Sequence, residues 1–164
     1  MAKPKKTNSM RVLEQKRITY QVHTFPTTIH SAEGVAEAIG LPASQVFKTL
    51  VVMPMGAGAK PLLAIIPGDA HLNLKNLAKT AGEKKLNMAA HREAERLTGL
   101  QVGGISALAM LRKGWHVFLD ASANDYEQIV VSAGQRGINL QLSVDGLISV
   151  TNAQVASIAE RAAP

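Results

Sequence analysis

The sequence predicts a single α+β or mixed α/β domain in which helices cover a sheet, and three observations carry that prediction. A chain of 164 residues with 46% apolar content can bury one core, and no repeat or low-complexity stretch divides it beyond a basic N-terminal tail. Two strand-length apolar runs, VFKTLVVMP (46–54) and KPLLAIIP (60–67), flank MGAGA, whose glycines suit a hairpin turn. Further strand-like runs alternate with segments of helical period, so crossover connections accompany the hairpin.

In chain order, Met10, Leu13 and the stem of Arg17 have helical spacing over about 7–17, and TYQVHTF (19–25) reads as a strand. Ser31 is placed to cap a helix running to Ile39, with Val35, Ala36 and Ile39 as its apolar stripe and Gly40 as its stop. Pro42 opens a short turn before the hairpin, and Gly68 and Asp69 end the second hairpin strand. Windows 72–82 and 88–99 read as amphipathic surface helices, each closed by glycine. VGGISALAM (102–110) has no clean period, and its adjacent glycines suggest a backbone that something approaches closely. Strand character returns at 115–120, 128–134 and 138–142, and 151–161 reads as a closing helix with Val155, Ile158 and Ala159 inward.

Composition narrows the chemistry. There are no cysteines, which excludes disulfides, thiolate nucleophiles and cysteine-containing zinc sites, and fits a reducing compartment. The N-terminus has charges but no following apolar region, and no long uncharged apolar run occurs, so neither a leader nor a membrane span is expected and the location expected is cytoplasmic. A net charge of +6 favours a polyanionic partner such as RNA. Six of the 18 cations (Lys3, Lys5, Lys6, Arg11, Lys16 and Arg17) fall in the first 17 residues, either a solvated helix face or an RNA contact. Aromatics are only 4%, too few for a base-stacking platform.

Lys48 is the sharpest single feature. An ammonium in an apolar strand is costly without a partner, so it either snorkels from an exposed edge or points into a pocket. Thr49 faces the other way in a regular strand. The loops VGGIS (102–106) and SAGQRG (132–137) match neither a P-loop nor a dinucleotide-binding turn; they serve as plain turns or offer N–H groups to an oxyanion. Ser132 lacks a nucleophile-elbow pattern. Histidines 23, 30, 71, 91 and 116 show no ligand spacing, so no metal is expected. Tyr20 either packs or places its hydroxyl over a pocket, and Trp115 reads as packing.

Taken together, VFKTLVV, LKNLAKTAGEKKLNMA, ERLTGLQVGGIS, VFLDAS and IVVSAGQRGINLQL resemble the YbaK branch of the YbaK and prolyl-tRNA-synthetase editing-domain family, in order from about Thr7 to Ala159. The resemblance implies a flexible basic tail over 1–6 and a free-standing editing domain over 7–164, built on a mixed, strongly curved, barrel-like sheet flanked by helices. It implies a deacylase that removes cysteine from Cys-tRNA(Pro), with another mischarged tRNA such as Ala-tRNA(Pro), or binding of tRNA or synthetase without turnover, as the alternatives. The family's strand lysine falls on Lys48, its threonine on Thr49, its first-strand tyrosine on Tyr20, its paired glycines on Gly103 and Gly104, and its SxGxRG turn on Ser132, Gly134, Arg136 and Gly137. Two positions depart from the usual GGISPxG: Ala107 replaces proline, which would fix φ near −65°, and Ala109 replaces glycine.

In this branch the substrate's own thiol is implied to attack its ester carbonyl, so the enzyme supplies orientation and oxyanion stabilisation rather than a nucleophile. Lys48, Gly103, Gly104 and Ser132 would then be catalytic, with Tyr20, Thr49, Gly134 and Arg136 binding substrate. Lys48 would hold the terminal phosphate or ribose. The implied partner is the acceptor end of a mischarged tRNA, with prolyl-tRNA synthetase as a candidate helper in choosing it. Neither a cofactor nor a DNA or membrane partner is expected.

Overall fold

The computed structural model describes residues 5–161; of the expected basic tail, residues 1–4 lie outside them. Among the described residues the strands, in chain order, are β1 (Tyr20–Thr24), β2 (Phe47–Pro54), β3 (Leu62–Pro67), β4 (Ala70–Leu72) and β5 (Leu86–Met88). They continue as β6 (Val117–Asp120), β7 (Gln128–Gln135), β8 (Ile138–Ser143), β9 (Gln154–Ala156) and β10 (Ala159–Arg161). The helices are α1 (Asn8–Gln15), α2 (Ala32–Ile39), α3 (Leu74–Ala81), α4 (His91–Thr98) and α5 (Val144–Thr151).

Capping chemistry sets the helix starts. Thr7, Ser31 and Asn73 each accept a hydrogen bond from the third residue after them, at the heads of α1, α2 and α3, and left-handed glycines at 40, 82 and 99 close α2, α3 and α4. α3 and α4 begin two or three residues later than their sequence windows. The leading residues serve as strands instead, Leu72 in β4 and Met88 in β5.

β2 and β3 form the expected hairpin, with β3 parallel to β6 and β6 parallel to β9, giving a mixed sheet in the order β5-β2-β3-β6-β9. β3 lies at its centre and every one of its residues is buried, which is why LLAIIP has no polar alternation. One face of this sheet, including Phe47, Val51, Leu63 and Ile65, packs on Ile129, Val131, Leu140 and Leu142 of the antiparallel sheet β1-β8-β7. The other face, including Val52, Ala64, Ile66 and Phe118, lies under Leu77 and Ala78 of α3. At one place the two sheets meet through backbone: Val46 and Val130 form a parallel bridge, and the Val130 N–H donates to the Gln45 carbonyl at 3.0 Å, beneath Val35 and Ala36 of α2.

Two expectations need correction. The sheet is not barrel-like: β1 and β7 end one sheet, β5 and β9 end the other, β4 and β10 pair separately, and none is closed or strongly curled. A barrel needs a continuous ladder around its circumference, and a single bridge does not provide one. Nor is 151–161 a helix. α5 lies before it, capped by Ser143 and ended by a left-handed Asn152, and 154–161 is mostly the short strands β9 and β10. The buried carboxylate of Asp120 bends the chain between them, accepting the N–H groups of Ile158 and Ala159, each at 2.9 Å, through one oxygen while Ser122 occupies the other. Those charge-assisted bonds outweigh the helical spacing of Val155, Ile158 and Ala159.

Asp120→Ala strands the buried N–H of Ile158 and the part-buried N–H of Ala159 and is expected to lower the unfolding free energy by about 2–3 kcal/mol. Urea denaturation checks it; a loss near zero would show that the carboxylate does not hold this corner.

Candidate functional site

A cavity of about 430 Å³ lies beside the Val46–Val130 bridge. Because the bridge is parallel and strand side chains alternate, Lys48 and Ser132, each two residues further along, leave their strands at the same level, and both line the cavity. Asn139 stands opposite Ser132 in the β7–β8 register and lines it too.

The larger sheet contributes an open strand edge. β5 pairs with β2 only over Val52–Pro54, and the Ala89 N–H reaches the Val51 carbonyl at 3.0 Å. Thr49 is in step with Val51 along the antiparallel ladder, so it turns its backbone N–H and C=O towards this unpaired edge. Thr49 thus offers the cavity main-chain groups as well as a side chain.

Lys48 is half-buried, and its Nζ donates to the Gly68 carbonyl at 3.3 Å. Burial pushes its pKa below the ordinary lysine value of 10.5, while the charges of Glu33 and Asp69 oppose the shift. Gly68 is held in turn by its N–H, 2.8 Å from the Val46 carbonyl, and a Cβ there would sit 2.8 Å from the same oxygen. Ser132 is 9% exposed; its Oγ accepts the Gly134 N–H at 3.2 Å and keeps its own proton to donate. No hydrogen bond among the described residues joins Ser132 to a histidine or carboxylate, so it lacks the base that activates a serine nucleophile.

The paired glycines divide their work. Gly103, at φ +93, lines the cavity and lies so near His30 that a Cβ would be 3.1 Å from the His30 Cα. Gly104 stands behind it: its N–H is taken by the Gln101 carbonyl at 2.8 Å, and a Cβ would meet the Arg136 nitrogen at 2.9 Å. Of the two glycines expected to donate to an oxyanion, only Gly103 lines the cavity, and its N–H makes no hydrogen bond among the described residues. Arg136 clamps the loop from outside, its Nε donating to the Val102 carbonyl at 2.7 Å. Gly134, at φ +103, sits in the β-bulge where the β7–β8 register shifts after Ser132. Lys48, Thr49, Gly103 and Ser132 therefore meet at the cavity, while Gly104, Gly134 and Arg136 support it without lining it.

Tyr20 is not brought to this cavity. It is partly buried against the main core on β1, and burial together with the charge of Glu14 raises its pKa. Ala107 has φ −64°, the value a proline would impose, and Ala109 has no positive φ, so neither alanine sits in a conformation it resists. The sequence reading missed Asn139, 5% exposed with no hydrogen bond to its amide among the described residues, and the wall residues His30, Glu33 and His91. In INLQL, Asn139 and Gln141 look alike; only the fold buries the first.

Residues 27–150 match the family described as the aminoacyl-tRNA editing domain. The chain is 40% identical over 163 residues to EbsC of Enterococcus faecalis, provisionally named a Cys-tRNA(Pro)/Cys-tRNA(Cys) deacylase, covering 96% of this chain and 98% of that protein. It is 31% identical over 121 residues to a proline–tRNA ligase of Anaeromyxobacter dehalogenans, covering 71% of this chain and only 20% of the ligase. Among solved structures it resembles the hypothetical protein APE2540, with a TM-score of 0.84 at 24% identity over 93% of this chain and 99% of that one. A protein provisionally described as a trans-editing enzyme for prolyl-tRNA synthetase matches with a TM-score of 0.78 at 24% identity, covering 98% of this chain and 99% of that one. These two structural likenesses establish the fold.

A lysine whose folded pKa lies below its unfolded one costs stability at neutral pH, and the cost is relieved as pH rises through the lowered value towards 10.5. Lys48→Met is therefore expected to raise Tm at pH 7, with the gain shrinking as pH rises through the lowered pKa and gone above 10.5. A Tm drop at pH 7 would mean that the Gly68 contact outweighs the burial of the charge.

Proposed function

The chain belongs to the aminoacyl-tRNA editing-domain family, and on that premise we propose that it is a trans-acting deacylase that removes cysteine from Cys-tRNA(Pro). The observation that carries this reading is a cavity lined by the half-buried Lys48, by Ser132 and by Gly103, with no nucleophile–base pair at Ser132 among the described residues. Such a site orients and stabilises; the nucleophile comes from the substrate.

In the proposed step the thiol of the bound cysteine attacks the carbonyl of its own ester. A carbon–sulfur bond forms, the bond to the terminal ribose oxygen breaks, and the thiol proton ends on that oxygen. The products are free tRNA and a cysteine thiolactone, which water then opens. Negative charge on the carbonyl oxygen meets the Gly103 N–H and the Ser132 hydroxyl, donors fixed in advance by the bulge and the clamped loop. Lys48 holds the negatively charged acceptor end, and the open edge at Thr49 pairs with the substrate's polar groups. The near-native cavity size for small ligands fits the aminoacyl end and not a folded RNA.

Release of labelled amino acid from Cys-tRNA(Pro), S-methylcysteinyl-tRNA(Pro) and Ala-tRNA(Pro) tests this. Cysteine is expected to be released and the other two retained, and Ser132→Ala is expected to cost about 100-fold in kcat/KM. Release of alanine at a comparable rate would sink the thiol-assisted step, since only water can attack there. A second expectation concerns pH. Affinity for uncharged tRNA(Pro) falls as Lys48 loses its proton, and because its pKa is lowered the fall begins below the pH at which an ordinary lysine would titrate. Lys48→Arg, which keeps its charge, is expected to bind without that early fall; identical pH profiles for both proteins would remove Lys48 from the RNA contact.

A further inference from the structure

A second hollow, of about 540 Å³, lies between α3 and β5 and is lined by Lys75, Lys79, Lys84 and Lys85. Lys75 and Lys79 are one turn apart on the outer face of α3, opposite the Leu77–Ala78 face that covers the sheet, and Lys84 and Lys85 follow in the loop before β5. All four are exposed, and no salt bridge among the described residues takes up any of them. From His71 to Arg92 the only carboxylate is Glu83, against these four lysines and Arg92. Glu83 lines the same hollow but is a single carboxylate against four lysines, and a polyanion relieves the repulsion that remains among them.

Asn87 lines the hollow and the next residue, the exposed Met88, lines the cavity, so the two lie on either side of the three-residue edge strand β5 and a chain reaches one from the other by crossing that edge. We propose that this groove is a phosphate track: RNA backbone lies along Lys75, Lys79, Lys84 and Lys85 and enters the cavity past Met88. The assignment of which end enters rests on the deacylase reading; the RNA contact itself does not. Lysines on flexible stems bind phosphates as point charges, and with aromatics at 4% the track does not read bases. By contrast, Lys5, Lys6, Arg11, Lys16 and Arg17, the N-terminal cations among the described residues, line neither hollow, and Lys6 is already paired with Glu14 at 2.7 Å.

The test uses the full chain and an RNA hairpin without an attached amino acid, reproducing an acceptor stem with its single-stranded CCA end, titrated by fluorescence anisotropy at several salt concentrations. Lys84→Gln/Lys85→Gln is compared with Arg112→Gln/Lys113→Gln, an equal loss of charge at the end of the 3₁₀ turn Leu108–Lys113, which lines neither hollow. The first variant is expected to bind about tenfold more weakly, with a log Kd against log salt slope shallower by about 1.5; the second is expected to stay near wild type. Equal losses in both would reduce the effect to net charge and overturn the track, as would no loss in either. Lysine-specific RNA binding by a protein that releases no cysteine would uphold the track and overturn the deacylase reading. Cysteine release with an unchanged KM in Lys84→Gln/Lys85→Gln would do the reverse.

Discussion

The parallel bridge between Val46 and Val130 is the contact on which the site depends. Two open sheets that share a core can slide or tilt relative to one another, and main-chain pairing at one point fixes their level. Val46 and Val130 are fully buried beneath α2, so the bridge is shielded from competing water. Register then does the rest. Lys48 and Ser132 are carried to the same height on facing strands, and Asn139 follows Ser132 through the β7–β8 ladder. A one-residue slip at the bridge would turn Lys48 or Ser132 to the opposite face of its strand.

The loop that completes the wall shows why two adjacent glycines are needed for two different reasons. Gly103 lines the cavity with a positive φ that a residue bearing a side chain resists. Gly104 needs the absence of a Cβ, because the Gln135–Arg136 backbone lies against it. Arg136 closes the same contact through the Val102 carbonyl. A loop held from both sides cannot relax when charge develops on a bound carbonyl, and preorganisation of this kind is what makes a hydrogen-bond donor useful in a transition state.

How much of this was legible in the sequence depended on the range of the controlling interaction. α2 was readable because Ser31, Val35, Ala36 and Gly40 carry its cap, stripe and stop locally. The hairpin was readable for the same reason. The helix expected over 151–161 failed because Asp120, more than 30 residues earlier in the chain, supplies the bonds that bend it. Lys48 stood out because an ammonium among apolar residues is a local anomaly, whereas Asn139 sits in an ordinary alternating strand and becomes exceptional only through burial. Gly104 and Gly134 look like site residues from sequence, and neither lines the cavity. Nothing local separates a glycine that faces a cavity from one that lets a neighbouring strand pass.

On the proposed mechanism the cavity's selectivity lies in reactivity more than in fit. Discrimination by one methylene in an apolar pocket is worth only about 1–3 kcal/mol, which is a poor defence against destroying correctly charged tRNA. Proline has no thiol, so Pro-tRNA(Pro) survives even when it binds. The same logic exposes a weakness at the other substrate: correctly charged Cys-tRNA(Cys) carries an identical aminoacyl end, and neither the cavity nor a sequence-blind phosphate track can tell it from the error. The choice between them therefore has to be made away from both hollows, by features of the tRNA body or by a protein that presents it. A small domain that is indiscriminate at its site is consistent with an editing function only if access to the site is controlled from outside it.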